Sequence, residues 1–194
     1  TPALIGASVY PNFLTPAEAA GVEGDVLPLV KRRRYEGYHW DAVISGYRET
    51  SVPFTAFDPA SPTRRVVDRV LAGFPADVDP MSSLHVLDLQ EEGTIDNHID
   101  NVGFSGRFIV GVCLLSDAVM ELTHMAEDGV ERGNGDVVSL LLPKNCLYVL
   151  TDEPRYRYGH AVLPGPQAFG DTITTKTRRV SLLFRDEPPP ADPR

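Results

Sequence analysis

From residue 82 onward the apolar residues arrive in short segments, and that rhythm restricts the fold more than any other feature of the chain. Leu84, Val86 and Leu89 open the first segment. Thr94 to Asp100, Phe108 to Leu115, Val119 to His124, Val137 to Leu142, Cys146 to Leu150, Tyr158 to Val162 and Arg178 to Phe184 follow. Each is too short for a helix that buries a face, and each fits a strand bounded by Gly, Pro or Asp turns. About eight such strands in succession predict a jelly roll, that is, a double-stranded β-helix, or a related sandwich. The polar stretch Glu127 to Asp136, with Gly129, Gly133 and Gly135, reads as a mobile hairpin connection.

Two helices are predicted ahead of the strands. Thr15-Pro16-Ala17-Glu18 has the form of a capping box, with Thr15 as N-cap and Pro16 at the first helical position; the helix runs toward Leu27, where Pro28 limits or bends it. Pro53, Pro59 and Pro62 mark a loop. Ser61-Pro62 then opens a second helix, with Val66, Val67, Val70, Leu71 and Phe74 on one stripe and Arg64, Arg65, Asp68 and Arg69 on the other face. The expected fold is therefore mainly β, with two N-terminal helices packed on one sheet. A chain of 194 residues suits one domain. It would span residues 1–185, with helical support over about 1–80 and a jelly-roll core over about 82–185, and would be followed by a proline-rich, disordered tail over 186–194.

No apolar run approaches the ~18 residues of a membrane span, so no membrane insertion is expected. The net charge of -9 argues against indiscriminate binding to nucleic acid, though a local basic patch is compatible with it. Cys113 and Cys146 sit in apolar contexts without CxxC spacing and read as buried thiols. The chain begins at Thr1 rather than Met, which leaves room for a preceding targeting segment.

The candidate chemistry starts at Asp96-Asn97-His98-Ile99-Asp100-Asn101. Residues two apart on an extended strand share a face, so His98 and Asp100 can hold one metal ion. A His-x-Asp is a weak signal alone, but His160 follows about sixty residues later on a late strand, and early and late strands of a rolled sandwich are neighbours. Two histidines and one carboxylate form the facial triad of non-haem Fe(II) oxygenases, which leaves half the coordination sphere open. Arg179 and Arg185, an even number of residues apart on the last strand, face one way, and their forks suit a dicarboxylate. Ser181 would share that pocket. Tyr148 is either a donor to the same anion or a core aromatic, and His85 either an interior histidine or a pocket residue. His124 and Arg178 are expected to be surface groups, with Arg178 pointing away from Arg179. The run Lys31-Arg32-Arg33-Arg34 is either a solvated basic face or a phosphate contact. The aromatic stretch Tyr35 to Tyr47 reads as a packed wall, with His39 structural rather than catalytic.

These residues resemble the AlkB-type Fe(II)- and 2-oxoglutarate-dependent dioxygenases, and are most similar to the mitochondrial AlkB homolog 7 subfamily. The blocks that carry the resemblance are Arg32-Arg33-Arg34-Tyr35-Glu36, His39-Trp40-Asp41-Ala42, Gly46-Tyr47-Arg48-Glu49-Thr50, His85-Val86-Leu87-Asp88-Leu89 and the Arg178-Arg179-Val180-Ser181 strand. The resemblance implies Fe(II) at His98, Asp100 and His160, and 2-oxoglutarate at Tyr148, Arg179, Val180, Ser181 and Arg185, with dioxygen as the second cosubstrate. Two departures stand out. The family's last strand carries Arg-x-Asn-x-Thr-x-Arg, whereas Ser181 and Leu183 stand at the inner positions here, and Leu87, Asp88 and Leu89 stand where an Asn-x-Tyr pair is expected.

The resemblance also implies hydroxylation or oxidative demethylation of a macromolecule. Hydroxylating an N-methyl group gives a hemiaminal that sheds formaldehyde. Methylated bases of mitochondrial RNA, held in the matrix compartment, are one substrate class, and a protein substrate is the other. Members that flip a base cover it with a lid, but Pro75 to Leu84 leaves little room for one. A non-catalytic, iron-holding jelly-roll regulatory module and a structural Zn site complete the alternatives.

Overall fold

A computed structural model describes residues 4–38, 43–125 and 137–188. His39, Trp40 and the 127–136 connection therefore lie outside the described residues, as does the tail beyond Pro188. Helix α1, Pro16–Val30, begins with the capping box, in which Thr15 Oγ1 accepts from the Glu18 amide at 3.2 Å while the Thr15 amide donates to Glu18 Oε2 at 2.9 Å. It does not stop at Leu27. Pro28 and Gly24 both face solvent, so the Gly24 carbonyl that loses its partner can turn to water, and the helix resumes with Lys31 N bonded to Leu27 O at 3.0 Å. Helix α2, Pro62–Leu71, is capped by Ser61 and buries Thr63, Val66, Val67 and Val70. The helices are tied by Thr63 Oγ1 donating to Asp25 at 2.7 Å and by Arg69 paired with Glu18 at 2.8 Å.

The strands are β1 (Ala7–Tyr10), β2 (Glu36–Tyr38), β3 (Ile44–Pro53), β4 (Ser83–His98), β5 (Ile109–Leu114), β6 (Ala118–His124), β7 (Val137–Leu142), β8 (Leu147–Leu150), β9 (Tyr158–Val162), β10 (Pro166–Phe169), β11 (Thr172–Thr175) and β12 (Arg179–Arg185). A short helix, α3 (Asp152–Tyr156), joins β8 to β9. Apart from the β10–β11 hairpin, the strands form one rolled sheet in the order β1-β8-β5-β12-β4-β9-β6-β7, with β3 and β2 branching from β4. This is the expected double-stranded β-helix with flanking helices.

Two segments that sequence periodicity separates, one from Leu84 to Leu89 and one starting at Thr94, are joined in one continuous 16-residue strand, β4, which ends at His98 short of the expected Asp100. Its first half pairs with β12, from His85 opposite Leu183 to Leu89 opposite Arg179, and its last residues pair with β9. Strand β3 was not legible in the sequence, because its residues ISGYRETSVP carry little alternation; it forms by pairing along β4 from Pro53 opposite Ser83 to Ile44 opposite Ile95. A bulge between Ser45 and Tyr47 accommodates Gly46 at φ 60°, where a side chain would press on Gly93.

Alternation on β4 and β12 divides the core. Leu84, Val86, Val180, Leu182 and Phe184 pack against the valines of α1 and α2, while Leu87, Leu89 and Leu183 face the interior of the roll with Ile95, Met120, Leu122 and Val162. Cys113 and Cys146 are buried free thiols. No described helix is long and apolar enough to cross a membrane.

Two expectations are corrected. Arg178 is not a freely solvated charge: it grips the fully buried Asp88 carboxylate through Nε at 2.8 Å and Nη2 at 2.7 Å. Arg48 Nε at 2.8 Å and the Tyr35 hydroxyl at 3.1 Å complete the cage. Asp186, expected to start a disordered tail, is buried and accepts the amides of Arg107 and Phe108 at 2.9 and 2.7 Å.

Burial opposes ionisation of Asp88, but Arg178 and Arg48 outweigh it and lower its pKa below the ordinary 3.8. A folded-state value that is depressed stabilises the fold at pH above 3.8, and the contribution is lost as pH falls through the lowered value. Asp88→Ala strands two arginines on a half-closed surface and is expected to cost about 3 kcal/mol in urea unfolding at neutral pH. A loss indistinguishable from zero would show that the cage is ornamental.

Candidate metal centre

The site forms where β4 ends. His98, the last residue of β4, lies directly opposite His160 of β9, and the two rings stand 4.3 Å apart between centroids. Asp100 is not on the strand as expected but two residues beyond it, in a loop that turns at Asn101, whose carbonyl accepts the amides of Phe104 and Ser105, both at 3.0 Å. The turn carries its carboxylate back toward the histidines. Asp100 Oδ1 is 3.3 Å from His98 Nε2 and 3.9 Å from His160 Nε2, and the three ligand atoms all lie within 4.8 Å of one another.

The protonation states suit a cation. The His98 Nδ1–H donates to the Asp96 carbonyl at 2.8 Å, which aims the Nε2 lone pair inward. Burial, reinforced by the neighbouring His98, pushes the His160 pKa down to about 3, so that ring is neutral at physiological pH. Burial resists ionisation of Asp100, yet the adjacent His98 and the charge of Arg185 hold its carboxyl well below the ordinary range. Arg185 does this from the outer side. Its Nε donates to Asp100 Oδ2 at 3.0 Å and its Nη1 to His85 Nδ1 at 3.1 Å, which leaves the His85 Nε2–H to meet Glu49 Oε2 at 2.7 Å. Oδ2 is thereby occupied and Oδ1 presented.

The triad opens into a cavity of about 860 Å³ whose far wall includes Arg179, Ser181, Leu183 and Tyr148. Arg179 is 1% exposed; its Nη2 donates to Cys113 Sγ at 3.3 Å, while its Nε has no partner, and neither does the buried Ser181 Oγ. The Cys113 thiol is drawn down by a hydrogen bond from Cys146 and by the Arg179 charge. Burial pushes the Tyr148 phenol up to about 12, so it remains a donor. Room for its ring is made by Gly111 opposite it on β5, where any Cβ would collide with the ring carbons. Two buried, unpartnered polar groups and a phenol donor on one wall fit an anion, and the triad fits a divalent iron ion.

The structure thus brings together His98, Asp100, His160, Tyr148, Arg179, Ser181 and Arg185; His85 takes the pocket alternative of its two readings, and Glu49 and Arg33 line the same cavity. Val180 does not join them, because on β12 its side chain alternates into the helix-facing core. His124 is half-buried, edge-on to Tyr158 with centroids 5.1 Å apart, and does not line the cavity. Arg155 on α3 was missed. It is buried and donates to three carbonyls of the Asp100 loop, and no spacing signal in the sequence marks it.

No protein-family model matches the chain. It is 38% identical over 184 residues to the mitochondrial alpha-ketoglutarate-dependent dioxygenase alkB homolog 7 of Bos taurus, covering 94% of this chain and 79% of that protein. The Mus musculus protein of the same name is 36% identical, with 95% and 85% covered. Solved structures share the fold at low identity. The structure of OsALKBH1 matches with a TM-score of 0.56 at 13% identity, over 93% of this chain and 96% of that one, and a Pseudomonas putida prolyl-4-hydroxylase with 0.55 at 15%, over 95% and 93%. A double-stranded β-helix with two histidines and one carboxylate converging at its open end defines an Fe(II)- and 2-oxoglutarate-dependent dioxygenase. Within that class the chain belongs to the AlkB-like family.

Asp100→Ala and His160→Ala are each expected to abolish iron-dependent succinate formation and to remove tight Mn(II) binding in titration calorimetry. Undiminished turnover in either variant refutes the ligand set.

Proposed function

We propose that His98, Asp100 and His160 hold Fe(II), that Arg179, Ser181 and Tyr148 bind 2-oxoglutarate, and that the protein oxidatively demethylates bases of mitochondrial RNA. The observation that carries the cosubstrate assignment is the pair of buried atoms, Arg179 Nε and Ser181 Oγ, left without partners on the wall of the cavity that holds the triad. A guanidinium in that position is costly until an anion completes it. Bound there, Fe(II) and 2-oxoglutarate would supply the oxidising chemistry with dioxygen as the oxidant, one oxygen atom going to succinate, formed with carbon dioxide, and the other to the substrate.

The chain's own part is to bind and orient. Arg179 takes the distal carboxylate through charge-assisted hydrogen bonds, with donors from Ser181 and the protonated Tyr148 phenol on the same anion. Arg185, its fork shared between Asp100 and His85, supports the pocket mainly by keeping Asp100 charged and one-sided. The contribution of Val180 is the strand register that points its neighbours inward. Leu183 and Leu87, where the family pattern places polar side chains, make this wall drier, which strengthens the remaining polar contacts.

The assignment to the homolog 7 branch, and with it to the mitochondrial matrix, is supported by the identities with the bovine and mouse mitochondrial proteins. The lean toward RNA is supported by the exposed Lys31 to Arg34 run: Arg33 lines the catalytic cavity, and Arg32 and Arg33 line a smaller one of about 260 Å³. Cations there would meet backbone phosphates despite the acidic total charge. A peptide substrate is the second reading, favoured by Phe104, which lines the same cavity yet is 71% exposed.

The deciding experiment adds oxygen to the anaerobic Fe(II) protein with 2-oxoglutarate, with a methylated RNA pool or a methylated peptide pool. Oxygen-dependent succinate, with formaldehyde only from RNA, is the expected result. Formaldehyde only from peptides would replace the substrate, and absence of succinate would favour a non-catalytic module. Arg179→Ala is expected to raise KM for 2-oxoglutarate by about tenfold or more with a smaller change in kcat. An unchanged KM removes Arg179 from the clamp.

A further inference from the structure

Arg155 is 2% exposed and does not line the cavity. Its guanidinium divides itself among three main-chain carbonyls: Nη1 donates to Asp100 O at 2.9 Å, Nη2 to Ser105 O at 2.8 Å and Nε to Gly106 O at 3.0 Å. All three belong to the loop that leaves β4 with Asp100 and returns into β5. Burying a guanidinium on neutral acceptors is costly, and an apolar side chain would fill the same space more cheaply. What an apolar side chain cannot do is hold three carbonyls at fixed distances in one planar fork.

The far side of the loop is held as well. Asp186 accepts the amides of Arg107 and Phe108, and its carbonyl accepts the Gly106 amide at 2.8 Å. Its neighbour Arg185 holds Asp100 Oδ2. Asp100 is thus fixed at its main chain by Arg155 and at its side chain by Arg185, and only Oδ1 is left to turn toward the histidines. Because Asp100 lies beyond the end of β4, no ladder hydrogen bond sets its position, and the arginine does that work instead.

We infer that Arg155 is a positioning residue for the metal site: by clamping the carbonyls of Asp100, Ser105 and Gly106 it sets where the Asp100 carboxylate stands relative to His98 and His160. It acts through Asp100 and touches neither metal nor substrate. The inference rests on the reading of the triad as a metal site.

The test titrates Co(II) into the parent, R155M, R155K and R107A proteins, following the visible absorption of the bound ion, with melting of each metal-free protein alongside. R155M is expected to weaken Co(II) binding by about 10–100-fold and to alter the band shape. R155K, which keeps the charge but cannot span three carbonyls, is expected to fall between R155M and the parent. R107A removes a side chain of the same loop whose partner is the exposed Asp77 at 2.8 Å, and is expected to bind Co(II) like the parent. Parent-like affinity in the R155 variants that fold, even with a lowered melting temperature, would leave Arg155 a merely structural role and overturn the inference. An equal loss in R107A would overturn it too. If R155M does not fold, R155K decides by the same criterion. Failure of the parent to bind Co(II) would remove the metal-site reading itself, an outcome distinct from the others.

Discussion

The structure depends on one strand taking part in both halves of the roll. β4 is long enough to pair with β12 through its first half and with β9 at its end, so the register of one strand places the Arg179 wall of the cavity and the two histidines relative to each other. A slip by one residue would turn every side chain of the strand over. The two cores on its opposite faces, one under the helices and one inside the roll, oppose such a slip.

Charges gather around Asp100 in an order that follows from burial. A carboxylate taken out of water remains ionised only where cations and donors outweigh desolvation. Arg185 provides this at Oδ2, with His85 and Glu49 behind it, while the two histidines lie against Oδ1. The two histidines stay available as lone-pair donors for different reasons: burial disfavours the charged form of His160, and the Asp96 carbonyl fixes the tautomer of His98. The cavity wall reuses the alternation of β12. Arg179, Ser181, Leu183 and Arg185 face inward while Val180, Leu182 and Phe184 close the helix-facing core, so the strand that builds the pocket also seals the domain.

Much of this was legible in the chain. Short apolar segments separated by turn residues determine a rolled β-sandwich, and the capping box and valine stripe determine two helices to cover it, because local propensity and periodicity are properties of neighbouring residues. The types and order of His98, Asp100 and His160 pointed to a triad, and the even spacing of Arg179 and Arg185 put both on the cavity side of β12, although Arg185 turns to Asp100 and His85 there. What the sequence could not show depends on residues far apart in the chain. Strand β3 exists by pairing with β4, Arg178 is absorbed by a buried aspartate ninety residues upstream, and Asp186 anchors the β5 entrance rather than a loose tail. Asp100 reached its place from a loop instead of the strand, and that loop is held by Arg155, fifty-five residues later. Burial and long-range hydrogen bonding decide such positions, and no local pattern encodes them; sequence alone determined the chemistry on offer, and the tertiary structure decided which oxygen of Asp100 faces the metal site and what keeps it there.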